Sequence, residues 1–382
     1  MTRTHSATRN RYDAHELGGA FGDLGTLIPF IAAYIAVLRM DASAVLLGFG
    51  VALVVVGLVY RTPFPVQPMK AIGTIAVGHS AGVAVTGSIV VGAGVVTAAI
   101  WLALALTGTA RRAAQLIPRP ALLGVILGLG FSFMVEGARL MATSPWLGGI
   151  LLIGTLAMLA QSRFPAMLAL LPIGFVISFL QKPELVGELA AIELGLELPS
   201  LAWTGLGWND LWLGAIYLAL PQLPMTFGNA LIAITEENNR QFPERPVTER
   251  QVALSTGLLN LWGSAIGGVP MCHGAGGMAG HVQFGARTGG ASVMLGSALV
   301  ALAVLLGDSI GLLLAVFPEP VLGVILFLAG AQLALGSKEP GPEKMDRYLM
   351  LTTAGLTMWN AGFAILFGLI GYHGFKRGWF RI

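Results

Sequence analysis

VPMCHGAGG, residues 269–277, is the stretch on which the reading of this chain turns. It lies inside an apolar region, yet it holds a helix breaker, a thiol, an imidazole and a run of small residues. Pro270 suits the first position of a helix, where a missing N–H leaves no bond unmade. Gly274, Ala275, Gly276 and Gly277 leave that first turn almost bare, so the amides of Cys272, His273 and Gly274 can reach a ligand. A helix starting within a membrane points free N–H donors and its positive dipole end at whatever sits there. PFPVQPMK, residues 63–70, repeats the pattern and adds Gln67, the Met69 amide and a lysine, Lys70. The spacing predicts two half-helices, broken at Pro68 and Pro270, that face one small anion.

Composition agrees with a membrane setting. Of 382 residues, 55% are hydrophobic and 11% charged, with mean hydropathy +0.78; a soluble domain carries about 25% charged residues. The chain reads as an all-α polytopic membrane protein, because backbone crossing lipid must satisfy its hydrogen bonds internally. The 52 glycines fit close helix packing. A formal charge of +3 gives no reason to expect nucleic acid as a partner. The single cysteine, Cys272, cannot form an intrachain disulfide. The first sixteen residues lack the apolar core of a cleavable signal, so the first span is expected to remain.

Outward from the two proline stretches, spans are expected at 17–38, 43–60, 83–108, 120–136, 146–160 and 164–181. A short polar segment at 65–80 interrupts them, since a full crossing needs about 20 apolar residues. Residues 182–208, with Glu184, Glu188, Glu193 and Glu197, read as a surface loop. The second half follows with 210–235, a charged loop EENNRQFPERPVTER, 251–267, the broken 270–282, 289–316 and 320–336. The last apolar region, 348–374, is too long for one crossing and divides near Trp359, Asn360 and Gly362, giving about 14 segments. Lys and Arg placement then puts both termini in the cytoplasm, together with Arg61, Arg111, Arg112, Arg163, Arg240, Arg245, Arg250, Arg287, Lys338 and Lys376. The glutamate-rich loop falls outside.

Three internal matches occur in the same order. FGD (21–23) recurs as FGN (227–229), Pro68–Met69 as Pro270–Met271, and Pro118-x-Pro120 before LGVIL as Pro318-x-Pro320 before LGVIL. Seven segments per half, an odd number, require the second copy to be inverted. Inverted repeats with broken helices meeting at the midplane are the mark of secondary transporters. The expected units are residues 1–205 and 206–382, working as one integrated body.

At ELGGAFGDLGTLIPFI (16–31), PFPVQPMKAIGTIAVG (63–78) and PMCHGAGGMAGHVQFGARTGG (270–290) the chain resembles the molybdate-transporter family, a branch related to the sulfate permeases. The resemblance covers nearly the whole chain. It implies a seven-plus-seven inverted repeat in which a core domain moves against a gate domain. Typical sulfate permeases add a cytoplasmic regulatory domain after the last span; that domain is expected to be absent here. The resemblance favours molybdate and leaves sulfate open.

Lys70 is the most telling charge, because a cation in a first helical turn opposes the dipole unless an anion joins it. A snorkelling or carboxylate-paired lysine is the plainer alternative. Gln67 is a donor or merely a helix cap, and His273 a donor, a proton carrier or a packed neutral ring. Cys272 reads as packing. Asp23, whose counterpart is Asn229, repels an anion unless protonated, which would couple transport to protons; a salt bridge to Lys70 is the alternative. GHSAG (78–82) matches a serine-hydrolase signature but lacks the strand–turn–helix setting. His273 and His281 lack companions for a metal site. The expected activity is import of a tetrahedral oxyanion by alternating access, without a cofactor and without enzymatic chemistry. Sulfate uptake and nucleobase symport follow as alternatives, and a hydrolase using Ser80 or a non-transporting sensor come last. Expected partners are the anion, membrane lipid and, as an option, a second copy in a homodimer; the expected site is the bacterial inner membrane.

Overall fold

The computed structural model describes residues 9–78, 84–114, 118–160, 166–183, 199, 202–315, 318–335 and 340–378. The expected loop glutamates 184–197, together with Arg163, Lys338 and most of GHSAG, lie outside the described residues. The helices are α1 (Ala14–Ala20), α2 (Leu24–Ala32), α3 (Ala42–Tyr60), α4 (Lys70–Val77), α5 (Gly87–Thr107), α6 (Ala110–Ala114), α7 (Arg119–Met141), α8 (Pro145–Ala160) and α9 (Ala166–Gln181). They continue as α10 (Trp208–Gln241), then α11 (Glu249–Ala265), α12 (Ala275–Gln283), α13 (Gly290–Ala315), α14 (Glu319–Leu335), α15 (Lys344–Trp359) and α16 (Ala361–Lys376). Two dipeptide strands, β1 (Gln67–Pro68) and β2 (Met271–Cys272), precede α4 and α12.

Local chemistry explains the boundaries. Asp41 caps α3 by accepting from the Ala44 amide at 3.1 Å. Thr248 and Gln251 form a reciprocal capping box on α11. The long apolar region 348–374 does divide: Asn360 takes an extended conformation, ends α15 and caps α16 through the Phe363 amide at 2.9 Å. In the first span, a 3-10 turn at Phe21–Asp23 separates α1 from α2. α10 carries π turns at Gly214–Ala219 and Thr226–Ala233 on either side of Pro221 and Pro224. A proline lacks the N–H and crowds the carbonyl four residues back, so the hydrogen-bond ladder slips there. α10 also runs past the expected end at 235, because Glu237 and Arg240 pair at 2.7 Å on its last turn. α13 breaks its helical backbone at Gly307 (φ 31°, ψ −119°).

Packing joins the two halves of the chain rather than separating them. α7 lies antiparallel on α14: a Cβ on Gly137 would stand 2.5 Å from the Gly323 carbonyl, and one on Gly130 would stand 2.7 Å from that of Gly330. α3 crosses α13 the same way, through Gly50 with Gly296 and Gly57 with Gly289. α5 packs on α11, where Gly94 meets Ser264 and Gly257 meets Leu102. Exchanging first-half segments for their second-half counterparts turns the α3–α13 pair into the α11–α5 pair. It leaves α7–α14 and β1–β2 paired as before. A two-fold exchange of this kind is what an inverted repeat produces.

One end of the bundle is basic. Asn10 donates to the Gly57 carbonyl at 2.9 Å, Tyr60 to that of Gln251 at 3.3 Å, and Arg250 to that of Ala105 at 2.9 Å. Arg111 reaches Glu249 at 3.8 Å. Buried Glu16 accepts from the Arg11 guanidinium at 3.0 Å and from the amides of Arg287 and Thr288. These contacts gather Arg11, Arg111, Arg250 and Arg287 around one face, and Arg61 lies beside Asn10.

Candidate functional site

The two broken segments meet in the middle of the fold. β1 and β2 pair antiparallel, Gln67 opposite Cys272 and Pro68 opposite Met271, and the Met69 amide donates to the Pro270 carbonyl at 2.9 Å. Side chains here are fully buried, among them Gln67, Met69 and Met271. The strands correct the helix starts expected from the prolines. Pro68 lies in β1, and α4 begins at Lys70 with Met69 as its cap. Pro270 precedes β2, and α12 begins at Ala275 with Gly274 as its cap. The physical reason is pairing: Pro68 has no N–H to contribute, so a two-residue ladder uses it without leaving a donor stranded. A second correction follows, since the Met69 amide is already bonded and is not free for a ligand.

Polar side chains in the spans hold this junction. Asn260 of α11 works as a strand edge, donating to the Met271 carbonyl at 2.7 Å and accepting from its amide at 3.0 Å. Gln222 of α10 caps α4, its oxygen accepting from the amides of Ala71 at 2.8 Å and Ile72 at 3.3 Å, while its nitrogen donates to Thr226. His273 is pinned at both ring nitrogens. Nδ1 donates to the Pro65 carbonyl at 2.8 Å, and Nε2 therefore accepts from the Ser255 hydroxyl. That bonding matches the packed neutral ring among the alternatives for His273. Sequence reasoning missed Gln222, Asn260 and Ser255. An amide side chain in LALPQLPM or LLNLW was the available signal, because a buried polar group in an apolar span needs a partner.

What remains open is narrower. Lys70 is half-buried, and among the described residues its ammonium has no hydrogen-bond or ion-pair partner. The salt bridge to Asp23, raised as an alternative, is not formed within 4 Å, although Asp23 and Cys272 are both near enough to feel the charge. On α12, Ala275 is half-buried and Gly276 exposed, while their neighbours Gly274 and Gly277 are buried. Among the described residues the amides of Ala275 and Gly276 have no acceptor, as befits a helix start. Among the described residues a Cβ on Gly276 would meet nothing within 4 Å, whereas one on Gly274 would collide with Gln67. Asn229, beside Gly274, is half-buried too. Lys70 and the bare first turn of α12 thus offer one cation and two aligned N–H donors to a small anion.

Asp23 is fully buried. Its Oδ1 accepts from Gln67 Nε2, and its Oδ2 stands 3.9 Å from His281 Nε2. Gln67 therefore directs its donor at Asp23 rather than at a ligand. A separate cavity of about 350 Å³ lies between α3 and α11, lined by Val55, Val59, Tyr60, Leu254, Ser255 and Leu258. Arg245 and Gln251 also line it, and it does not include Lys70 or the start of α12.

Solved structures share the fold. The transmembrane domain of the cyanobacterium bicarbonate transporter BicA superimposes with a TM-score of 0.66 at 16% identity, over 94% of this chain and 96% of that one. Murine Slc26a9, an anion transporter in its inward-facing state, gives 0.70 at 12% identity over 98% of this chain and 70% of that one. At these identities the likeness shows the shared fold and nothing further. A family profile described as "Molybdate transporter of MFS superfamily" matches residues 15–133 and 214–333, one stretch in each half. Molybdate transporter 2 of Arabidopsis thaliana is 32% identical over 402 residues, spanning 92% of this chain and 85% of that protein. Molybdate transporter 1 of the same plant is 27% identical over 391 residues, 90% and 84% respectively. The chain belongs to the molybdate transporter family. The superfamily word in that description does not fit the packing, because major-facilitator halves are related by an axis along the membrane normal. Here antiparallel helices of opposite halves interleave.

Proposed function

We propose that this protein imports a tetrahedral oxyanion, molybdate first among them, by alternating access in symport with protons. One observation carries the reading: Lys70, with no ammonium partner among the described residues, starts α4 at the same β1–β2 junction that leads into the glycine-rich start of α12, in a family whose relatives are named for molybdate. Lys70 and the amides of Ala275 and Gly276 would hold the anion, with Gly274 and Cys272 shaping the backbone. Gln67 would orient Asp23, the coupling carboxyl, and His273 would lock the β1–β2 junction. Residues 1–205 and 206–382 form the two inverted repeats. The basic end faces the cytoplasm, with both termini on that side, by the preference of Lys and Arg for cytoplasmic loops. In a bacterium this places the protein in the inner membrane, and a homodimer is compatible with it.

Sulfate is the second reading, since it shares the shape and charge of molybdate and differs in size and hydration. A neutral nucleobase would leave Lys70 without a counter-charge. Uptake of labelled molybdate into proteoliposomes, with sulfate and uracil as competitors, tests the proposal. Molybdate accumulation resistant to uracil supports it; no transport of any tetrahedral oxyanion contradicts it.

A further inference from the structure

The glycine contact between Gly22 and Gly280 brings two titratable side chains face to face. A Cβ on Gly22 would lie 2.3 Å from the Gly280 carbonyl, and one on Gly280 would lie 2.6 Å from that of Gly22. The backbone of the 3-10 turn and that of α12 therefore touch, and the next residue on each chain is Asp23 or His281. Both side chains are fully buried, with Asp23 Oδ2 3.9 Å from His281 Nε2. Among the described residues, neither of these two atoms has a hydrogen-bond partner.

The tautomer of His281 follows from its other bond. Nδ1 lies 2.8 Å from the Gly19 carbonyl, which can only accept, so Nδ1 carries the hydrogen. In a neutral ring Nε2 is then a bare lone pair. It faces a carboxylate oxygen, another lone pair, in a site without water access. Two acceptors so placed repel unless one proton lies between them. The gap is about 1 Å longer than an N–H···O hydrogen bond, so loading a proton would also draw the 3-10 turn and α12 together.

We propose that Asp23 and His281 form a single proton-binding site whose occupancy controls anion affinity at the start of α12; this rests on the transport function proposed above. Empty, the pair carries one negative charge; loaded, it is neutral, with the proton bonded to Asp23 Oδ2 or to His281 Nε2. His281 follows Ala275 by six residues, about 9 Å along a helix, so the empty pair repels an anion at that helix start and the loaded pair does not. Other ionisable groups near the pair are Lys70 of α4 and Cys272 of β2. On α1, Glu16 points to Arg11 and to the amides of Arg287 and Thr288. On α10, Glu236 is exposed and Glu237 is held by Arg240. Of these, Lys70 and Cys272 are rival proton sites with the same sign of coupling, because a nearby anion favours the protonated form of either.

Calorimetric titration of the purified protein with molybdate, in buffers of different ionisation enthalpy and across a pH series, tests the pair. Linkage is reciprocal, so binding should take up close to one proton on the alkaline side, where affinity should fall about tenfold per pH unit. Asp23→Asn supplies an oxygen for Gln67 and an N–H for His281 Nε2, imitating the loaded pair. It should fold, bind molybdate, and take up no proton. His281→Gln should abolish proton uptake as well. Wild-type protein that binds molybdate with pH-independent affinity overturns the inference. So does wild-type proton uptake in both variants, which would assign the proton to Lys70 or Cys272, and so does an Asp23→Asn protein that does not fold. Failure of the transport reading itself looks different: the wild type would bind neither molybdate nor sulfate.

Discussion

The side-chain oxygen of Gln222 accepts from the Ala71 amide at 2.8 Å, so the first turn of α4 is capped by α10 rather than left for a ligand. The two half-helices are therefore not equivalent. α4 contributes Lys70, and α12 contributes its uncapped backbone. Gln222→Leu would strand the amides of Ala71 and Ile72 in an apolar span. Loss of one partner of a buried hydrogen bond costs about 1–3 kcal/mol, so thermal unfolding in detergent should occur earlier by a corresponding margin. Unchanged stability would mean that the cap is dispensable.

Lys70→Ala removes the unpartnered cation of the proposed site. A hydrogen bond involving a charged group is worth about 1.5–3 kcal/mol, so molybdate affinity should fall by roughly ten- to a hundredfold while the fold persists. Equal affinity in the variant, by the same titration, would remove Lys70 from the site.

Gly276 and Gly274 make opposite predictions from one substitution. Among the described residues Gly276→Ala meets nothing within 4 Å and should fold normally, yet its methyl group intrudes where an anion would approach the backbone. Affinity should drop with little change in stability. Gly274→Ala would drive its Cβ into the Gln67 side chain, at 1.9 Å, and should lower stability first. Thermal unfolding and molybdate titration on both variants separate the two effects.

Gly280→Ala would press a methyl group against the Gly22 carbonyl at 2.6 Å. Overpacking of this kind costs about 1–3 kcal/mol, and it would also push Asp23 away from His281. Thermal unfolding should shift downward, and uptake should depend less steeply on pH. A variant with wild-type values of both would show that this crossing is loose.

Much of the fold is legible in the letters because lipid forces long apolar helices and because glycine, proline and polar residues stand out against them. The repeated Pro-Met pairs and the twin LGVIL runs became β1–β2 and α7–α14, which pack against each other in space. The helix starts were misplaced because Pro68 and Pro270 fit a helix's first turn and a short strand equally well. Only the partner strand decides. Gln222, Asn260 and Ser255 act across helices far apart in sequence, and no local pattern says which backbone group each one meets. The Asp23–His281 approach was hidden for the same reason: it depends on Gly22 and Gly280 touching, a relationship between two turns more than 250 residues apart.

Crystals soaked in molybdate, with data collected at the molybdenum absorption edge, test the central claim most directly. The account predicts one anomalous peak between the Lys70 ammonium and the amides of Ala275 and Gly276. A peak elsewhere in the transmembrane region, with that opening empty, would contradict it.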